Sequence, residues 1–110
     1  MFYQVYYQFH PAYYRQFPPV DTSKFEQSLQ TFKTLLEQGK VVVNSLVSSQ
    51  DKMFQLMDAA QKSDDEEVDR IIRETGVQTI AETSYTPSGV TFTLRADECC
   101  TLKMYIAWGR

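Results

Sequence analysis

Cys99 and Cys100 are the chain's two thiols, and a pair of this kind has three uses: a covalent link to another chain, ligation of a soft metal, or redox work on a substrate. In an alternating strand, consecutive side chains point to opposite faces, so two adjacent sulfurs do not readily bind one ion. No second Cys/His pair completes a four-ligand set, and no metal site is expected. Cys100 shares a face with Leu102 and Met104, where a thiol behaves as a small buried hydrophobe. Cys99 then faces away or lies in a turn, and it is the candidate for a cross-link. The bland expectation is two inert structural thiols, since adjacent cysteines make no disulfide framework. A thiol redox enzyme ranks last, because it needs a depressed thiol pKa.

Other reactive side chains carry less. His10 is the one histidine, and it has no carboxylate or nucleophile at a defined spacing. The run Asp64-Asp65-Glu66-Glu67-Val68-Asp69 lacks the alternating ligands and central glycine of a calcium loop, so helix capping and solvation account for it. There is no Gly-rich phosphate cradle, no G-x-S-x-G elbow and no H-E-x-x-H. The expectation is a protein without catalytic residues, cofactor or metal.

The compositional anomaly is at the start. Phe2, Tyr3, Tyr6, Tyr7, Phe9, Tyr13, Tyr14 and Phe17 crowd the first seventeen residues, in a chain that holds seven Tyr, seven Phe and one Trp. So much ring surface is costly to leave in water, and phenols suit an interface because one end is apolar and the other can hydrogen-bond. Two fates are equally expected: packing on the chain's own domain, or docking on another protein. The contact candidates are Tyr3, Tyr6, Tyr7, Tyr13, Tyr14 and Arg15.

The remainder is an ordinary globular composition, 43% hydrophobic and 23% charged, in 110 residues. That length suits one modest core. A net charge of -3 without a basic cluster argues against nucleic acid. The longest aliphatic run, Val41-Val42-Val43, is far too short to span a bilayer. Gln4, Gln8 and His10 interrupt any secretory apolar region, which predicts cytoplasmic synthesis.

These residues must be positioned by a folded body. Residues 1–21 show no sustained period and leave through Pro18-Pro19, predicting an extended arm ahead of a single domain over 22–110. Ser23 and Glu26 have capping-box spacing, predicting a helix from 22 or 23. Phe25, Leu29, Phe32, Leu36, Val43 and Leu46 form an apolar stripe through Gly39, continued by Met53, Met57 and Ala60. The expected helices are 22–48, irregular near Gly39, and 50–62, with Met53, Phe54, Leu56 and Met57 in the core. Ser63-Asp64-Asp65-Glu66 starts a third helix, and Gly76 caps its end. Residues 79–86 and 90–95 then alternate around Pro87-Ser88-Gly89, whose glycine is expected at positive φ. In 100–108, Cys100, Leu102, Met104, Ile106 and Trp108 share one face. Two or three helices packed on a C-terminal three-stranded antiparallel meander make an α+β fold.

The leader ending YYRQFPPVD, the RIIRETG segment and the ending ECCTLKMYIAW together resemble a family of small sporulation proteins of Bacillus-type bacteria, some assigned to the inner spore coat. The resemblance implies synthesis in the mother cell, deposition on the forespore and a structural role among tyrosine-rich and cysteine-bearing proteins. It implies no catalytic residues. The function expected is thus assembly, through self-association or docking of the arm on protein partners, with Cys99 as a covalent staple. The alternative is a small binding module that encloses an apolar ligand or peptide among Met53, Met57, Phe92 and Trp108.

Overall fold

The computed structural model describes residues 19–109. Three helices come first: α1 (Ser23–Val47), α2 (Gln50–Gln61) and α3 (Asp65–Arg73). Three strands follow, β1 (Ile80–Tyr85), β2 (Gly89–Ala96) and β3 (Cys100–Ala107), as one antiparallel sheet in the order β1-β2-β3. The α+β arrangement expected from the sequence is the one observed.

Each helix starts where short polar side chains can accept from free backbone N–H groups, although two caps differ from expectation. The Ser23–Glu26 capping box is not made; Asp21 Oδ1 instead accepts from the Ser23 backbone N–H at 3.0 Å and from its hydroxyl at 2.8 Å. These two bonds, the backbone one foremost, hold the Asp21 carboxyl below its usual range. Ser49 caps α2 by accepting from Lys52 N–H at 3.1 Å. The cap of α3 is Asp64 and not Ser63: its carboxylate accepts from Glu67 N–H at 3.2 Å, while Ser63 turns the chain at a φ of 55°. Gly76, at a φ of 80°, lies just beyond the end of α3 and takes the left-handed conformation that glycine adopts without strain.

Helix α1 runs unbroken through Gly39, which is buried and marks where the helix comes closest to the sheet at Leu102 and Met104. The buried face of α1 is Leu35, Gly39, Val42 and Leu46; Gly39 and Leu46 belong to the expected stripe, whereas Leu35 and Val42 replace other members of it in the core. Phe25, Leu29, Leu36 and Val43, expected in the core, are exposed. At about 100° per residue the two apolar stripes lie roughly a quarter-turn apart, and only one can face the sheet. In α2, Leu56, Ala59 and Ala60 are buried, whereas Phe54 and Met57 are exposed. With Val68, Ile71 and Ile72 of α3 and Val90, Phe92 and Leu94 of β2, these residues make one continuous core.

The sheet puts one face on the helices. Val90, Phe92 and Leu94 point inward on the central strand, and the register pairs them with Ile106, Met104 and Leu102 of β3. Thr91, Thr93 and Arg95 alternate to the other face, opposite Tyr105, Lys103 and Thr101; Arg95 is exposed there, whereas Thr93 is buried. Thr86 and Gly89 exchange both backbone hydrogen bonds, at 2.9 and 3.3 Å, across a two-residue turn of Pro87 and Ser88. Gly89 does not supply a positive φ there. It is required for space, since a Cβ would lie 2.6 Å from the Ile106 carbonyl oxygen and from the Tyr105 hydroxyl.

Candidate functional site

At the far end of α1 the chain forms an apolar groove of about 270 Å³ between the α1–α2 corner and the end of β3. Leu46 and Leu56 form its floor; Val43, Val47 and Met53 border it on the helical side, and Ile106 and Trp108 on the sheet side. The fold brings Met53, Met57, Phe92 and Trp108 to this one groove. Trp108 is fixed rather than loose: its indole Nε1–H donates to the Thr86 carbonyl at 3.0 Å, and its backbone N–H donates to the Ser88 carbonyl at 3.0 Å.

Further apolar side chains of α1 are exposed among the described residues. Phe25 is 65% exposed, Leu29 50%, Leu36 52% and Val47 64%. Phe25, Leu29 and Leu36 share the helix face of the groove residues Val43 and Val47, so exposed apolar side chains recur along α1 from its first turn to its last. An exposed stripe of this length exceeds the scattered apolar residues of an ordinary surface, and such surfaces mark docking sites. Tyr3, Tyr6, Tyr7, Tyr13, Tyr14 and Arg15 lie outside the described residues, as does His10.

The β2–β3 turn corrects the reading of the cysteines. Ala96 pairs with Cys100, so Asp97, Glu98 and Cys99 form the loop, with Asp97 at a φ of 52°. Cys100 is buried on the face shared with Leu102 and Met104, as expected. Neither residue is an inert thiol: Cys99 and Cys100 are joined to each other by a disulfide. The alternation that separates neighbouring side chains holds within a strand, and Cys99 lies in the turn just outside it, free to bring its sulfur round.

The acidic run has a structural task. Besides the Asp64 cap, Asp65 accepts a hydrogen bond from the Tyr85 hydroxyl, tying α3 to β1. That bond, helped by partial burial and by the negative charge of Asp65, Asp64 and Asp69, pushes the Tyr85 phenol above its ordinary pKa. Arg70 bridges Glu67 and Glu74, with its Nε donating to Glu67 at 2.9 Å, and this bond holds the Glu67 carboxyl below its usual range. Among the described residues, no group of three His, Cys, Asp or Glu side chains is placed to hold a metal ion, and no helix is long and apolar enough to cross a membrane.

Comparison with family models matches residues 22–104 to the family described as YuzC spore coat inner layer protein. The matched span begins at the N-cap of α1 and ends within β3. Neither the curated proteins nor the solved structures include a match.

Proposed function

The chain belongs to the YuzC spore coat inner layer protein family, and from that premise we propose that it is a non-catalytic building unit of the spore coat that assembles through its aromatic leader. The family suggests the coat and a structural role there. The finer reading has residues 1–21 acting as an arm on a domain spanning 22–110, with Tyr3, Tyr6, Tyr7, Tyr13, Tyr14 and Arg15 making the contact. The occupant of the groove is then the arm of a second copy.

One observation carries this reading: the chain pairs an aromatic segment with an apolar stripe and groove that no other described residue covers. Length permits the contact. Eighteen residues precede the described part, and at about 3.3 Å each they reach roughly 60 Å at full extension, enough to cross to a neighbour. Light scattering coupled to size-exclusion chromatography tests it. Full-length protein should associate with rising concentration, and deletion of residues 1–19 should leave monomers. Val47→Glu, at an exposed groove position, should weaken association without unfolding the domain. A full-length protein that stays monomeric at high concentration overturns the reading, and arm-dependent burial within a monomer assigns the groove to the chain's own arm.

The second reading, a module that takes up an apolar ligand or peptide, is favoured by the meeting of Met53, Met57, Phe92 and Trp108 at the groove. It predicts ligand binding that survives deletion of residues 1–19, reported by Trp108 fluorescence.

A further inference from the structure

We propose that the Cys99–Cys100 disulfide is an attachment point for a cysteine thiol of another protein, reached by thiol–disulfide exchange at Cys99. The two sulfurs of this bond stand in unlike surroundings. Cys99 is exposed in the β2–β3 turn, whereas Cys100 is only 6% exposed, with its sulfur 3.3 Å from the Ser28 carbonyl oxygen of α1. A disulfide sulfur carries no proton, so this approach becomes a hydrogen bond only when Cys100 is a thiol.

Exchange requires a thiolate to approach one sulfur from outside. Cys100 is shielded by the helix, and Cys99 is open to solvent. The incoming thiolate therefore bonds to Cys99 Sγ, the bond between Cys99 and Cys100 breaks, and the electron pair leaves on Cys100 Sγ. The proton given up by the incoming thiol returns through solvent to Cys100, whose S–H donates to the Ser28 carbonyl. One disulfide is consumed and one is formed, so neither oxidant nor reductant is needed.

The same asymmetry keeps the product. A buried, hydrogen-bonded thiol offers little thiolate to attack back, because apolar surroundings disfavour the ionised sulfur. The turn thus holds its coupling capacity in a closed form and transfers it to a neighbour's cysteine on contact. This step uses only the β2–β3 turn and α1, and it stands independently of the aromatic arm.

The test uses full-length protein equilibrated in air, with glutathione as the incoming thiol. After treatment the protein is quenched with an alkylating reagent and its peptides are mapped by mass spectrometry. Glutathione should be found on Cys99 and the alkyl group on Cys100, with Cys99 favoured by roughly ten-fold or more. Cys100→Ser should leave a Cys99 thiol that takes no glutathione from the reduced tripeptide but is alkylated readily in the native state. Cys99→Ser should leave a Cys100 thiol that reacts fast only after denaturation. Protein lacking residues 1–19 should react at the same site, which separates this outcome from any failure of arm docking. Two free thiols in the air-equilibrated protein, adducts divided equally between the sulfurs, or adducts mainly on Cys100 each overturn the proposal.

Discussion

Gly39 of α1 stands directly against Met104 of β3: a Cβ added at Gly39 would lie 2.9 Å from the Met104 sulfur and 3.2 Å from Leu102 Cδ2. This contact sets how deeply the helix beds into the sheet. Gly39→Val should therefore cost about 1–3 kcal/mol through overpacking. Gly39→Ala should cost less, because the thioether can shift and the helix gains about 1 kcal/mol of propensity. Urea unfolding of both variants, alone and combined with Met104→Ala, checks this; the second change should relieve much of the valine penalty.

Phe92 and Phe54 should respond in opposite ways. Phe92 is fully buried on the central strand, so Phe92→Ala should cost about 3–5 kcal/mol. Phe54 is 69% exposed, and Phe54→Ser should change stability by no more than about 0.5 kcal/mol. Thermal and urea melts of the two variants decide it.

The Tyr85–Asp65 bond should give stability an alkaline limb. The folded-state phenol is raised above its ordinary value of about 10, so the folded state holds this proton more tightly than the unfolded chain. Its contribution is fully present below the unfolded value and is lost as pH rises through the folded one. Tyr85→Phe should flatten that limb in urea melts taken across the alkaline range. On the acid side, the lowered Glu67 carboxyl has the opposite sign: its contribution is present above the unfolded pKa and fades as pH falls through the folded one.

Removing the cap of α3 should loosen the corner between helices and sheet. Asp64→Ala should cost about 1 kcal/mol, and Asp64→Asn, which keeps an accepting oxygen, clearly less. Amide hydrogen exchange should rise first in the opening turn of α3.

Trp108→Phe should keep most of the ring burial and lose the bond to the Thr86 carbonyl, at a cost of about 1 kcal/mol. Nuclear magnetic resonance of the Pro87-Ser88 turn should show the loosening there.

The helix starts and the place of the hairpin were legible because each rests on chemistry within a few residues, although the turn is Pro87-Ser88 alone and Gly89 is needed for space and not for a positive φ. The side of α1 that faces the sheet was not. Phe25, Leu29, Leu36 and Val43 make as good a stripe on paper as Leu35, Val42 and Leu46, and periodicity reports a stripe without its destination. The missed signal was Gly39: a glycine inside a helix costs propensity and is retained where backbone must approach another element closely. Partners distant in the chain, such as Tyr85 with Asp65 and Cys100 with the Ser28 carbonyl, leave no local mark. Met53, Met57, Phe92 and Trp108 could be grouped from the sequence and do line one groove, whereas the exposure of Phe25, Leu29 and Leu36 could not be read from periodicity. The bond between Cys99 and Cys100 was not legible because adjacent cysteines make no disulfide framework on paper; it depends on the β2–β3 turn that brings the Cys99 sulfur round.

The groove begins at Val43, near the far end of α1 from the root of the leader at Ser23, about 30 Å along the helix at 1.5 Å per residue. A leader seated in a neighbour's groove would therefore join unlike surfaces, head to tail, and such joints close into rings only at special rotations and otherwise propagate. One kind of joint, repeated, would then lengthen a filament copy by copy with no fixed end.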